Sequence, residues 1–276
     1  MVTHPPPDGT VRSTVVRATF KKQLARVSRN GPAEGTTLLV YHRVGGGSTD
    51  ERDTPAASFA RQLDALAGHE VLALDVALDR LDADDRRPSV VLTFDDGFSD
   101  VHDNAWPLLR ERALPFTLYL ATGHLGGTMH WEGSTAQAPG PALRWEQVAE
   151  MAGSGLCTLG NHTHTHAPPG KLTPAELDQC SDAIEHRLGA RPRHFAYTWG
   201  VEVPWMRQAL RVRFRSAATG RLGRNRPGYD PLSLRRVPVR GSDPIEFFAA
   251  KLTGSLFPER AYDLAVKAAK RLGARA

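Results

Sequence analysis

From Thr36 onward the chain alternates short apolar runs with stretches of helical periodicity, and that alternation restricts the fold more than any other property of the sequence. Short apolar runs bounded by turn residues read as strands buried on both faces. Parallel strands of that kind need helical crossovers between them. Strands are expected at 38–42, 89–94, 115–121, 157–160, 194–197, 214–218 and 234–239. Helices are expected at 58–66, 101–113, 144–154, 173–188 and 205–211, with 244–252 and 261–272 closing the chain. The helix at 173–188 carries Thr173 as a cap, Pro174 in its first turn and Gly189 as a terminator. Pro107 is expected to kink or open the helix at 101–113. Residues 123–140, with several glycines, Pro139 and the lone Trp131, read as a long loop, a feature that in compact domains is often functional. The pattern is an α/β fold with mostly parallel strands.

At 276 residues and 41% hydrophobic content the chain can bury a full core, and a single main domain is expected. Its 35 basic and 30 acidic residues are interspersed, so the formal charge of +5 marks no nucleic-acid surface. Cys157 and Cys180 are too few for a disulfide framework and lack metal-type spacing, so they read as ordinary thiols in a reducing compartment. No run of about 18 apolar residues suggests a membrane span. The beginning of the chain is polar and proline-rich, then basic from Arg12 to Arg29, without a secretory pattern, which gives the cytoplasm as the expected location. Residues 1–35 are therefore expected to be a flexible or partly helical, solvated extension, with peripheral contact to an anionic membrane surface as the alternative. The basic end, including Lys267, Lys270 and Arg271, reads as a solvated helix face.

Two segments carry chemistry. Thr93-Phe94-Asp95-Asp96-Gly97-Phe98 places adjacent carboxylates at the end of a strand, and His162-Thr163-His164-Thr165-His166 places two histidines four apart after another. Two imidazoles and one carboxylate can hold a divalent metal while leaving positions open for water and substrate, which is the arrangement of catalytic sites. Either segment alone is weak, because Asp-Asp-Gly is often a turn and His-x-x-x-His is often coincidence. Together, on loops that follow strands, they converge on one face of a parallel sheet or barrel. His164 lies between the outer histidines and is expected to point elsewhere. The mixed nitrogen and oxygen donors suit zinc, with cobalt, nickel, manganese or iron as alternatives.

These segments resemble the motifs of the polysaccharide deacetylase superfamily, the carbohydrate esterases with a NodB-like homology domain. The resemblance runs over about residues 36–241 and implies a distorted (β/α) barrel that removes acetyl groups from acetylated sugars. It makes Asp95 the catalytic base and Asp96, His162 and His166 the metal ligands. Arg193-His194-Phe195-Ala196-Tyr197-Thr198-Trp199 matches a third motif in part. There Trp199 would offer its backbone N–H to the oxyanion, whereas Ala196 stands where the family has an arginine that positions the base. Arg235 or Arg236 is the expected substitute. The family's late acid histidine is absent, since no histidine follows His194. Leu38-Leu39-Val40-Tyr41-His42-Arg43 instead resembles the opening of a circularly permuted subgroup that includes poly-N-acetylglucosamine deacetylases, which makes His42 the candidate acid.

The resemblance implies a catalytic region at 36–243 and helices at 244–276 packed on the barrel or extending it. The expected substrate is an N-acetylated amino sugar in a polysaccharide, oligosaccharide or glycoconjugate precursor, with acetate released. Trp131 and Trp199 are candidate platforms for sugar faces. Two other classes stay open: a carbohydrate-binding relative without turnover, and a non-haem iron oxidoreductase, whose facial triad also uses two histidines and one carboxylate.

Overall fold

The computed structural model describes residues 8–27, 33–131 and 139–271; the middle of the loop at 123–140 lies outside them, as do the side chains of Lys270 and Arg271. Seven apolar segments form β1 (Thr36–Tyr41), β2 (Ser89–Phe94), β3 (Phe116–Leu120), β4 (Cys157–Asn161), β5 (His194–Ala196), β6 (Ser216–Leu222) and β7 (Leu234–Pro238). All are parallel, each pairs with the next in sequence, and β1 closes the ring by pairing with both β2 and β7. Every residue of β1, β2 and β3 is buried, as strands with side chains on the inside of a barrel and helices on its outside must be. Leu39, Tyr41, Leu92, Phe94, Phe116 and Leu118 pack outward with helix residues such as Phe59, Trp106 and Val148. The alternate positions Leu38, Val91, Tyr119, Ala196 and Ala218 form a second cluster. Gly160 makes room for Tyr119, because a Cβ there would lie 2.3 Å from that ring.

The helices are α1 (Asp8–Arg26), α2 (Ala56–Ala65), α3 (Leu74–Asp82), α4 (Trp106–Glu111), α5 (Trp145–Gly153), α6 (Pro174–Leu188), α7 (Arg207–Arg211), α8 (Ile245–Leu252) and α9 (Phe257–Arg271). Helix α6 ends on Gly189 at φ 71°, the left-handed conformation for which glycine has no penalty. Several expectations need correction. Helix α2 begins at Ala56 behind Pro55, without a side-chain cap, rather than at Ser58. The segment at 101–113 divides into a π-helical turn, Val101–Ala105, and α4, with Pro107 in the first turn, where its missing N–H costs nothing. Helix α3 was not expected, although Leu74, Ala77, Leu78 and Leu81 recur at helical spacing and are all buried.

The basic beginning of the chain is helical and most of its described side chains are exposed, yet it is docked rather than free. Helix α1 packs against α8 and α9, and its Lys21 is fully buried. Lys21 Nζ reaches Asp243 Oδ1 at 2.7 Å and Ser242 Oγ at 2.6 Å, and Lys251 Nζ meets Asp243 Oδ2 at 2.7 Å. Glu259 joins from α9 through Lys251 (2.9 Å) and Arg240. Ser242 Oγ also donates to Glu51 (2.6 Å), so the cluster ties α1, α8 and α9 to the segment between β1 and α2. Lys267, in contrast, is exposed and pairs with Asp263. No helix among the described residues is long and apolar enough to cross a membrane.

Candidate functional site

The Asp95-Asp96 turn leaves β2 beside the end of β1, where the Asp95 N–H donates to the Tyr41 carbonyl (3.0 Å). The histidine loop leaves β4 beside β3, where the His162 N–H donates to the Leu120 carbonyl (3.0 Å). Its conformation is held from below: Asn161 Oδ1 accepts from the Thr163 N–H (2.9 Å), and Thr163 Oγ1 accepts from the Ala167 N–H (2.9 Å). Glu176 accepts from the N–H groups of His164 (3.0 Å) and Thr165 (2.9 Å). His164 itself turns away to Thr122 Oγ1 (2.9 Å).

Asp96, His162 and His166 come together, all buried, with ligand atoms within 4.8 Å of one another. Both Nε2 atoms lie 3.3 Å from Asp96 Oδ1. Donors about 2.1 Å from a shared ion at the tetrahedral angle are about 3.4 Å apart, close to both histidine–aspartate separations, so the trio could hold a divalent metal. His162 Nδ1 meets the Ala196 carbonyl at 2.8 Å, which places a proton on Nδ1 and turns Nε2 toward Asp96. Burial opposes ionisation of Asp96, but bonds from His162 and His166 hold its carboxyl well below the usual range.

Asp95 is bound differently. Arg236 of β7 places Nη1 2.7 Å from Asp95 Oδ1 and donates through Nε to the Thr219 carbonyl (2.9 Å). Burial would raise the Asp95 pKa, yet Arg236, His162 and His42 together hold it low. Of the two arginines considered as substitutes, Arg236 faces inward and Arg235 is exposed, as side-chain alternation along a strand requires. Ala196, at the position of the family's arginine, instead supplies its carbonyl to His162.

A cavity of about 170 Å³ joins these groups, lined by Asp95, Asp96, His162, His166, Trp199 and Arg236, with His42 and Arg52 on its wall. His42 follows β1, and its Nδ1 is buried without a hydrogen-bond partner among the described residues. Burial lowers its pKa, while Asp96 and Asp95 pull the other way. Trp199 is 41% exposed at φ 54° and lies 4.5 Å from the His166 ring. Gly200 beside it touches Gly220, since a Cβ on Gly200 would stand 2.6 Å from Gly220 Cα. Trp131 has no free face for a sugar: it is 7% exposed and stacked on His166 at 3.9 Å, so it is a wall of the site rather than a platform. Arg52 is absent from the sequence-derived set. It grips Asp50 (2.6 and 3.0 Å) and reaches the cavity only through the path of the segment at 43–54, for which the sequence carries no signal.

Among the described residues six non-glycine residues have positive φ, and the two outside the site, Asp84 and Ala113, follow the ends of α3 and α4. The other four are Asp96, Thr163, His166 and Trp199. Backbone strain is thus concentrated on the loops that bring the site together.

The polysaccharide deacetylase family model matches residues 82–212, which contain both aspartates and both outer histidines. The structure of IcaB from Ammonifex degensii superposes with a TM-score of 0.67 and 30% identity over 80% of this chain and 97% of that one. The chain belongs to the polysaccharide deacetylase family. A polysaccharide deacetylase of Bacillus cereus, BC0361, shares the fold at a TM-score of 0.67 and 23% identity, over 80% of this chain and 70% of its own. Among curated relatives, YxkH of Bacillus subtilis is 28% identical over 144 residues, half of this chain and 46% of that protein. The poly-beta-1,6-N-acetyl-D-glucosamine N-deacetylase of Staphylococcus epidermidis is 34% identical over 76 residues, 28% of this chain and 24% of that protein. The matches thus span less than half the length of these curated relatives. The closed parallel barrel agrees with the family fold expected from the motifs.

Proposed function

We propose that this family member is a metal-dependent N-deacetylase acting on an N-acetylated amino sugar. The observation that carries this reading is the pairing of two differently held carboxylates in one cavity. Asp96 lies among two histidine nitrogens, and Asp95 is fixed by Arg236 beside them. A hydrolysis needs one carboxylate to hold the cofactor and one to accept a proton, and here the environments separate the two.

In this reading Asp96, His162 and His166 hold a divalent cation, zinc by the chemistry of its donors. Such an ion supplies Lewis acidity, lowering the pKa of a water toward 7 and polarising the acetyl carbonyl. Asp95 takes the proton of the attacking water, and Arg236 keeps that carboxylate aimed and ionised until it does. His42 delivers a proton to the departing amine. The Trp199 N–H donates to the oxygen that gains charge in the tetrahedral intermediate. The exposed Trp199 ring presents an apolar surface to the sugar face. The sequence similarity to a poly-N-acetylglucosamine deacetylase supports β-linked N-acetylglucosamine oligomers as the first substrates to try.

The test measures bound metal and acetate released from N-acetylglucosamine oligomers. Wild type is expected to bind one ion per chain and release acetate; Asp96→Asn is expected to lose both. Asp95→Asn is expected to keep the metal and lose turnover by about 10²- to 10⁴-fold. Sugar binding by the metal-loaded wild type without acetate release would overturn the reading.

A further inference from the structure

A second hollow, of about 640 Å³, shares no lining residue with the cavity just described, and five arginines line it: Arg221, Arg224, Arg226, Arg235 and Arg260. Its position follows from hydrogen bonds to the beginning of β1. Asn225 and Thr36 exchange backbone bonds of 2.8 and 2.9 Å, and Arg224 Nε donates to Thr37 Oγ1 (2.9 Å). The candidate metal ligands, in contrast, follow the carboxyl ends of β2 and β4.

The charge in this hollow is unbalanced. Asp230 is the one carboxylate that lines it among the described residues, and Arg207 outside it holds Asp230 at 2.8 Å. At the edges Glu202 lies 3.6 Å from Arg221, and Glu34 lies 3.9 Å from Arg226. Arg224, Arg235 and Arg260 have no carboxylate within 4.0 Å among the described residues. Arg224 is half-buried and spends its N–H groups on neutral oxygens, those of Thr37, Lys251 and Gly254. Burial, then Arg226 and Arg260, lowers its pKa, and no carboxylate acts against them. Other arginines of this chain are matched: Arg215 meets Asp75, Asp79 and Asp82, and Arg191 meets Asp182 and Glu185. A concave surface that gathers guanidinium groups and leaves them unneutralised is suited to an external anion.

We propose that this hollow binds a phosphate-bearing ligand with at least two neighbouring anionic charges. Guanidinium forks match phosphate oxygens in pairs, and the volume is that of a small-molecule site rather than of a single ion. The same chemistry is offered by a soluble pyrophosphate compound and by the headgroups of an anionic lipid surface.

Full-length protein titrated calorimetrically with inorganic pyrophosphate, and separately mixed with phosphatidylglycerol or phosphatidylcholine vesicles, tests the proposal and its two sources. One of the two anionic probes is expected to bind: pyrophosphate if the natural ligand is soluble, phosphatidylglycerol if it is a membrane, with phosphatidylcholine inert. The R235A/R260A double variant alters two exposed side chains and is expected to weaken binding roughly tenfold or more, with acetate release and thermal midpoint unchanged. Asp96→Asn is expected to leave binding unchanged, which separates the hollow from the candidate metal ligands. Failure of both anionic probes to bind, or binding that survives the double substitution, would overturn the proposal.

Discussion

Asp95 and Asp96 are adjacent, yet only Asp96 adopts a left-handed backbone, φ 76°, and this local departure is what sends the two carboxylates to different partners. The strain at such a position costs on the order of 1–3 kcal/mol and persists only because neighbouring contacts enforce it. The family motif in the sequence marks both aspartates and both outer histidines. It leaves the partner of Asp95 open, because Arg236 comes from a strand 141 residues away and only the strand's alternation separates it from Arg235. Arg236→Gln is expected to lower kcat by about 10²-fold or more while bound metal is retained; Arg236→Lys recovers part of it and Arg235→Gln changes nothing. Kinetics beside metal analysis decides the matter, and equal losses in the Arg235 and Arg236 variants would count against the positioning role. At Trp131 the expected effect is on stability as well as function. Removing a ring stacked 3.9 Å from His166 opens a cavity worth about 3–5 kcal/mol and frees that candidate ligand, so Trp131→Ala is expected to melt earlier and, on the proposed reading, to bind metal more weakly.

Helix α1 illustrates why some elements cannot be read locally. Its sequence is basic and weakly patterned, which reads as a solvated extension, but Lys21 is buried against an aspartate 222 residues further on. No window of sequence contains both partners. The central carboxylate, Asp243, is driven up by burial and down by Lys251, Lys21 and Arg240, with a net pKa of about 2. Its unfolded value is near 3.9, so its contribution to stability is complete above that pH and is lost as the pH falls toward 2. Acid titration followed by circular dichroism is expected to show a loss of about 2 to 3 kcal/mol in this interval, absent in Asp243→Asn. Asp243→Ala at neutral pH leaves two buried ammonium groups with only Glu259 beside Lys251 and Glu51 and Ser242 beside Lys21, and is expected to destabilise the protein by about 3–5 kcal/mol in urea melts. Helix α3 is the opposite case: its apolar period stands in the sequence, in the stretch between α2 and β2.

The seven-stranded barrel was legible as alternating strands and helices most clearly at β1, β2 and β3, where every residue is buried and the strand leaves a largely apolar run. Closure itself was not, since no local pattern says that β7 will meet β1; that expectation came from the motifs. For the molecule as a whole, a ligand that binds only the folded state stabilises it by mass action. A divalent ion at about 100 times its dissociation constant is expected to add about 2.7 kcal/mol. The corresponding rise in thermal midpoint should vanish with a chelator and in Asp96→Asn; an unchanged shift in that variant would place the metal elsewhere. The ring of neighbours in sequence order has one further consequence. A circle carries no privileged starting point, so the order in which a gene spells its strands and the place where a side chain stands are independent variables. A histidine written near the front of the message, just after β1, can occupy the same corner of space as one written at its end, and breakpoints can drift around the loop without disturbing what meets at its mouth.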